Sequence, residues 1–319
     1  MSTQLKPTIA LLHWGDLIED FLGTIGVSFE AFCNEMTGGW MFGYIDALRL
    51  VEVRTVLFCV SARVTVPTRY THKPTGAMIC VLPAPKIYHV ARRQIPNPYG
   101  WTLKEVFGDV RGVRRILLQI LKDIAPYLAT PLGMLAHELR REGCQAILCQ
   151  EYEYARFDAC VLLGQLIRLP VFATFQGGDW QMSRFERPLR PLTLRACAGL
   201  IIGTQTEAER VRTHYGVPSA KLARIFNPID LAMWGTTDRS EARAALGIPI
   251  DARVVVYHGR IELHRKGLDV LMDAWEQIQI RRDRPMRELR LLLIGTGSDS
   301  VELHRRITAM QLRGVLWID

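Results

Sequence analysis

Short aliphatic runs alternate with longer amphipathic segments along the chain from residue 144 onward. The runs are rich in Val, Ile and Leu and have the length of buried strands, and the clearest lie at 146–149, 171–175, 200–202, 254–257 and 291–294. The segments between them have the spacing of helices that cover a parallel sheet. This half of the chain therefore predicts an α/β fold with doubly wound parallel sheets.

Two helices can be placed from local signals. Thr206 and Glu209 have the spacing of a capping box, which predicts a helix that starts after the 200–204 segment and runs to about Tyr215. A second helix is predicted directly after Lys266 and Gly267. Its buried face is marked by apolar residues at three- and four-residue spacing, namely Leu268, Leu271, Met272, Trp275 and Ile278.

The pattern in the first half is weaker. It predicts strands at 9–14, 56–60 and 78–82, a helix over 27–36, and a helix-rich region at 103–142 that is broken at Pro126 and Pro131.

Basic residues accompany the aliphatic run at 111–122, namely Arg111, Arg114, Arg115 and Lys122. A basic amphipathic helix of this kind suits an anionic membrane surface. A solvated helix whose other face packs in the core explains the same residues, and the sequence favours that simpler interpretation.

A change of composition near residues 233–249 indicates a domain junction. We predict a first domain at 1–232 and a second at 233–319. The second shows only two strand–helix pairs and a third strand at 315–318, which predicts an incomplete doubly wound domain.

Composition narrows the class of protein. The 319 residues are 49% hydrophobic and 23% charged, which excludes disordered, collagen-like and disulfide-scaffold proteins. The net charge of +8 favours an anionic partner without naming one. The seven cysteines contain no C-x-x-C and most lie in apolar runs, so we expect buried free thiols in a reducing compartment. The start of the chain does not have the pattern of an export signal, and no transmembrane helix is indicated. We expect a cytoplasmic protein, and the alternative is a peripheral location at a membrane.

The sharpest chemical feature is the loop from His258 to Asp269, which follows a predicted strand and opens into a helix. Gly259 permits close approach of a ligand, Arg260 offers a forked guanidinium, and Lys266 stands at the helix mouth. Free amides at a helix start favour negative charge as well. The loop therefore suits a diphosphate. A solvated loop decorated with basic residues explains the same pattern, and His258 fits a core histidine as well as a ligand contact.

These residues carry a family resemblance. The loop with Leu271 and Ala274 resembles the donor-phosphate segment of retaining family 4 glycosyltransferases, which have the GT-B fold. Segments in the same order along the chain extend the resemblance from about residue 144 to 319, and they are 198–204, 224–230 and 291–297.

The resemblance implies a GT-B architecture of two Rossmann-like doubly wound domains, the second incomplete here. It implies a hexosyltransferase-type glycosyltransferase that moves a sugar from a nucleotide-sugar donor to an acceptor hydroxyl with retention. Arg260 and Lys266 would be catalytic, because they stabilise the charge on the leaving diphosphate. We expect no metal and no cofactor beyond the nucleotide-sugar co-substrate, and the sequence contains no Asp-x-Asp pair.

The resemblance also implies further site residues. Donor binding would involve Gly259, Arg260 and Lys266 together with Gly26, Gly295 and Gly297, where Gly26 belongs to the best candidate for the glycine-rich loop after the first strand. On the acceptor side it points to Gln176, Asp179 and Glu151. Gln176 stands where many relatives carry histidine. Glu151 and Glu153 also fit two exposed loop carboxylates, the simpler interpretation.

The chain departs from the family pattern at two places. Pro228 replaces the glycine of an Asn-Gly-x-Asp turn, and the chain stops at Asp319, before the family's later glutamate pair. A truncated, catalytically inactive fragment that at most binds a nucleotide diphosphate is therefore the alternative. Glycans, lipid-linked compounds and small molecules all remain possible acceptors.

Two other classes are disfavoured. A nicotinamide-dependent oxidoreductase would need a third glycine where Ser300 stands. A nucleic-acid partner is not expected, because the basic residues are dispersed and no binding motif accompanies them.

Overall fold

The computed structural model describes residues 6–97, 102–177, 183–232, 234–280 and 288–318. Its contacts divide the chain into two compact units. The first consists of Met1–Gly23 and Val27–Asp230, and the second of Thr24–Gly26 and Leu231–Asp319.

The first unit contains an eight-stranded sheet within its described residues. Its strands are β1 (Thr8–Leu12), β2 (Arg54–Ser61), β3 (Thr68–Thr71), β4 (Met78–Pro83), β5 (Ala146–Cys149), β6 (Val171–Thr174), β7 (Gly199–Ile201) and β8 (Leu222–Ala223). They follow the spatial order β3-β4-β2-β1-β5-β6-β7-β8. Only the edge strand β3 pairs antiparallel, and it was not predicted. The order reverses at β1, as in doubly wound sheets.

Helices flank this sheet. They are α1 (Ile18–Ile25), α2 (Phe29–Asn34), α3 (Gly39–Leu50), α4 (Lys86–Arg93), α5 (Leu103–Phe107), α6 (Gly112–Leu128), α7 (Leu132–Arg141), α8 (Ala155–Ile167), α9 (Glu186–Ala196) and α10 (Gln205–Tyr215). The central strands β1, β2 and β5 are buried almost throughout, because helices cover both faces of a parallel sheet.

The second unit continues the same alternation on a smaller scale. Its elements are α11 (Arg239–Ala245), β9 (Arg253–His258), α12 (Leu268–Ile280), β10 (Leu289–Ile294), α13 (Ser300–Ala309) and β11 (Val315–Ile318). The strands pair in parallel in the order β11-β10-β9. Leu268, Met272 and Trp275 of α12 pack on Leu291 and Leu293 of β10. The predicted α/β class with doubly wound parallel sheets is confirmed, and predicted strand ends differ from these by at most two residues.

All seven cysteines are free and buried, as predicted. They lie in the core of the first unit, where burial raises the pKa of both Cys80 and Cys197 to about 11. The thiols of Cys80 and Cys197 are therefore uncharged at neutral pH.

Three local predictions are wrong. Pro126 does not break α6 but lies within it, two residues before its end, where a missing N–H removes a single helical bond. Thr206 does not cap α10, because the helix begins at Gln205 and Thr204 occupies the N-cap, while Glu209 pairs with Arg212. Ile278 is 45% exposed and so does not belong to the buried face of α12.

In the part of the chain that the structure describes, no helix combines the length and the apolar character needed to cross a membrane.

Candidate functional site

The loops that follow β9 and β10 leave the second sheet at the same edge. His258 and Ile294 end these parallel strands and pair in register. The loops are then tied together, because the Gly259 amide donates to the Ile294 carbonyl at 3.0 Å and the Ile261 amide to the Thr296 carbonyl at 2.9 Å. Ligands of open α/β sheets bind beyond this carboxyl edge.

Glycines allow this close approach of the two loops. A Cβ at Gly295 would lie 2.3 Å from the Gly259 carbonyl oxygen, and its φ of +126° is strained for any other residue. A Cβ at Gly297 would lie 2.2 Å from the Ile261 carbonyl oxygen. Gly259 itself has a φ of +152°. The three glycines predicted as donor-binding residues of this unit therefore meet at one edge.

Arg260 lies beside these glycines. Its Nη1 donates to Glu262 Oε1 at 3.1 Å, and its carbonyl accepts the Tyr257 hydroxyl at 2.6 Å. The Arg260 side chain remains 37% exposed. A depression at this edge is lined by residues 24–25, 258–260 and 294–297, all of which belong to the second unit. The guanidinium is thus oriented by Glu262 and retains further N–H donors for an anion.

Lys266 lies at the far end of the same loop, near the start of α12. Its side chain is exposed, and its amide donates to the Glu262 carbonyl at 3.0 Å. The expected free amides of the helix start are already used. The Leu268 amide donates to the Leu263 carbonyl at 2.8 Å and the Val270 amide to Asp269 Oδ1 at 2.9 Å. Positive charge at this end of the loop therefore comes from side chains.

Gly26 does not belong to a loop directly after the first strand. The residues after β1 are His13, Trp14 and Gly15, whereas Gly26 follows the last turn of α1 with a φ of +68°. A glycine with this conformation commonly ends a helix.

Glu151 follows β5 at the carboxyl edge of the first sheet. It is 7% exposed, and its two oxygens accept the Gln176 amide at 2.9 Å and the Glu153 amide at 3.2 Å. Burial outweighs these donors and raises the pKa of Glu151 to about 8. The expected exposed carboxylate is therefore wrong for Glu151. The reason is that this loop folds back over the end of β6, while Glu153 pairs with Arg210.

Gln176 follows β6 at the same edge. It forms a reciprocal amide pair with Asn227. Gln176 Nε2 donates to Asn227 Oδ1 at 3.0 Å, and Asn227 Nδ2 donates to Gln176 Oε1 at 2.7 Å. Its Nε2 also lies 3.0 Å from the Thr174 hydroxyl. The structure thus brings Glu151 and Gln176 together. Asp179 lies outside the described residues.

A buried polar cluster after β1 was missed by the sequence reasoning. Arg156 donates to the carbonyls of His13 at 2.8 Å and Asp16 at 2.7 Å, while Asp16 accepts the hydroxyls of Tyr88 at 2.9 Å and Tyr154 at 2.7 Å. Burial lowers the pKa of His13 and raises that of Asp16. The change from apolar to polar residues at the end of the first strand is the signal that could have indicated this cluster.

Comparison with known proteins shows what the chain is similar to. The sequence model of the family described as Glycosyltransferase Family 4 matches residues 86–233. A D-inositol 3-phosphate glycosyltransferase of Saccharomonospora viridis is 35% identical over 122 residues, which are 38% of this chain and 27% of the relative. D-inositol 3-phosphate glycosyltransferase 1 of Catenulispora acidiphila is 33% identical over 110 residues, 34% of this chain and 26% of the relative. The chain thus spans only about a quarter of the length of these relatives.

The fold has a counterpart among solved structures. Anabaena HepE in complex with UDP-glucose superposes with a TM-score of 0.56 at 14% sequence identity, covering 98% of this chain and 69% of that one. At this identity the likeness shows the fold alone. The chain therefore has the GT-B type of α/β fold, and parts of its sequence are similar to glycosyltransferases of family 4.

Proposed function

We propose that the protein transfers a hexosyl group from a nucleotide-sugar donor to an acceptor hydroxyl, with retention at the anomeric carbon. The observation that carries this proposal is the edge where Gly259, Gly295 and Gly297 bring two loops together beside Arg260. Because glycine has no side chain, a diphosphate can approach the backbone there more closely than it could at another residue. The fold shared with a UDP-glucose complex supports a nucleotide-sugar ligand.

Arg260 and Lys266 are proposed to hold the donor diphosphate. Arg260 is already oriented by Glu262 and offers a planar fork of donors, which matches phosphate oxygens. Lys266 adds an exposed, compact charge at the other end of the loop. Together they would stabilise negative charge that is distributed over two phosphate groups.

The proposed reaction breaks the bond between the anomeric carbon and the donor phosphate oxygen. The electron pair of that bond goes to the leaving diphosphate, where Arg260 and Lys266 stabilise it. The acceptor oxygen forms its bond to the anomeric carbon on the same face, and its proton passes to the leaving phosphate oxygen. Two fixed cations can supply this charge stabilisation, so the proposal includes no metal ion and no cofactor beyond the donor.

The acceptor side is proposed to involve the carboxyl edge of the first sheet. Glu151 holds the loop that begins at Gln176, and Gln176 holds Asn227. Gln176 is proposed to shape an acceptor site rather than to remove a proton, since an amide is not a base. Glu151 is proposed to support that loop, because its two oxygens already accept backbone amides. Asp179 remains in this proposal from the resemblance alone. The acceptor is a glycan, a lipid-linked compound or a small molecule. The proposed setting is the cytoplasm, with peripheral contact with an anionic membrane.

The test uses a panel of nucleotide sugars and a matched set of variants in one loop. Arg260→Ala and Lys266→Ala should each lower UDP affinity by about tenfold or more, because a charge-assisted bond contributes about 1.5–3 kcal/mol. Arg265→Ala removes a positive charge from the same loop, where Arg265 lies 3.8 Å from Glu262, and should bind as the unmodified protein does. Turnover by Lys266→Ala at the unmodified rate would contradict the assigned role.

Two measurements test the proposed retention of configuration and the proposed absence of a metal requirement. The anomeric coupling constant of the product, measured by NMR, should equal that of the donor sugar if the configuration is retained. Turnover should persist in EDTA if no metal takes part. Binding of UDP without turnover on any donor would instead support a chain that only binds the nucleotide.

A further inference from the structure

The first unit exposes an aliphatic face on α6 and on its neighbour α4. The two helices contact each other through a small cluster that contains Ala91, Leu121 and Ala125. Outside that contact their aliphatic side chains are exposed to an unusual degree. On α6 these are Val113 at 73%, Ile116 at 58%, Leu117 at 61% and Ile120 at 43%, and on α4 they are Ile87 at 60% and Val90 at 64%. Clustered apolar exposure of this kind marks an interaction surface.

Basic residues accompany this face. Exposed members on and beside the two helices are Lys86, Arg93, Arg111, Arg114 and Arg115. Neither helix has an acidic residue except Asp123 of α6, which is buried and accepts the Gln119 amide at 2.7 Å.

Three acidic residues that contact these helices or precede them in sequence have partners within the described residues. Asp109 pairs with Lys104 at 3.4 Å, Asp20 pairs with Arg92 at 3.6 Å, and Glu105 belongs to the capping box of α5. Five exposed basic residues thus lie on or beside the two helices, against a single, buried carboxylate within them.

We propose that the exposed face of α4 and α6 docks on an anionic lipid bilayer. Its aliphatic side chains would enter the boundary between headgroups and acyl chains, and its arginines would contact lipid phosphates. The complementary charge favours anionic lipid. The 17-residue length of α6 suits a helix that lies in the interface. This inference rests on the peripheral membrane contact proposed above and names the surface that makes it. Vesicle binding does not depend on sugar transfer, so it can fail while UDP binding and turnover persist.

The experiment is sedimentation of the full chain with vesicles. Phosphatidylcholine vesicles are compared with vesicles that also contain phosphatidylglycerol. The chain should sediment with the anionic vesicles, bind weakly to the neutral ones, and dissociate as salt is raised.

Variants separate the two contributions to binding. Ile116→Ser with Leu117→Ser should lower the partition coefficient about tenfold or more, because both changes remove exposed apolar area without changing charge. Each of Arg114→Ala and Arg115→Ala should lower it about fivefold. All four side chains are exposed, so their replacement should not disturb the core. Circular dichroism checks that each variant remains folded.

A matched control lies on α8. Leu162 is 50% exposed and Leu166 is 81% exposed, and Leu162→Ser with Leu166→Ser should leave vesicle binding unchanged. The proposal is overturned if the chain binds neither type of vesicle, if it binds both equally at all salt concentrations, or if only the α8 variant loses binding. Failure to bind any vesicle would assign the face to a protein partner.

Discussion

Replacing Gly297 with alanine tests whether the two loops of the second unit require their close approach. A Cβ at this position would lie 2.2 Å from the Ile261 carbonyl oxygen and 2.7 Å from the Ile261 nitrogen. Both neighbours are backbone atoms, so no side chain can rotate away to make room. The substitution must therefore move one loop relative to the other.

The size of the effect follows from this geometry. Ordinary carbon–oxygen contacts are about 3.3–3.6 Å, so the loops must separate by about 1 Å. The bond from the Ile261 amide to the Thr296 carbonyl, now 2.9 Å, would be lost or weakened. A lost hydrogen bond costs about 1 kcal/mol and the forced displacement about 1–3 kcal/mol, which together give roughly 2–4 kcal/mol.

Urea unfolding measures the free energy of unfolding, and calorimetry measures the affinity for UDP. Gly235→Ala provides a control in the same unit, because a Cβ there meets nothing within 4 Å. Gly267→Ala separates backbone strain from steric contact, since Gly267 has a φ of +65° but open space around it. We expect no change for Gly235→Ala, about 1 kcal/mol of destabilisation for Gly267→Ala, and the largest loss for Gly297→Ala.

UDP affinity should fall with Gly297→Ala, because Arg260 is carried by the displaced loop. If Gly297→Ala unfolds at the same urea concentration as Gly235→Ala and binds UDP equally well, the close approach is not required. The reasoning that joins these glycines to a diphosphate site would then fail.

Two further substitutions test the first unit. Glu151 has a folded-state pKa of about 8 against an ordinary 4.5, so its stabilising effect is complete below pH 4.5 and is lost as the pH rises toward 8. Between pH 5 and 8, the free energy of unfolding should therefore fall less for Glu151→Gln than for the unmodified protein, by up to roughly 4 kcal/mol. An equal fall for both proteins, measured by urea unfolding at the two pH values, would refute this. Arg190 pairs with Asp158 at 3.0 Å, with side chains 1% and 0% exposed, so Arg190→Leu should cost about 3–5 kcal/mol in thermal or urea unfolding. Arg212→Leu removes an exposed pair with Glu209 and should leave the unfolding midpoint nearly unchanged, and equal losses for the two arginines would contradict the argument from burial.

The repeating pattern of the fold was predictable because it depends on local periodicity. The face of α12 made by Leu268, Met272 and Trp275 is buried as the spacing predicts. Ile278 fits the same spacing, yet it is 45% exposed, and only the tertiary structure defines how far the buried face extends. The edge strand β3 has four residues and pairs with a neighbour, so its own sequence carries little signal.

The candidate site was predictable where backbone geometry requires a particular residue. Gly259, Gly295 and Gly297 follow strand ends, and the structure brings them together. Glu151 was not predictable in the same way. Its burial depends on a loop that reaches it from β6, 25 residues along the chain, and no local pattern encodes that contact. Gln176 is similar, because its partner Asn227 lies 51 residues away.

The buried cysteines give the molecule an internal reporter. All seven lie at or before residue 197, so they belong to the first unit, and the second unit contains none. A thiol reagent added to the folded protein should therefore react slowly, and a rise in its rate would record the opening of the first unit alone. A cysteine introduced at an exposed position of the second unit would then be the only accessible thiol. One fluorophore could be attached there without removing any native cysteine.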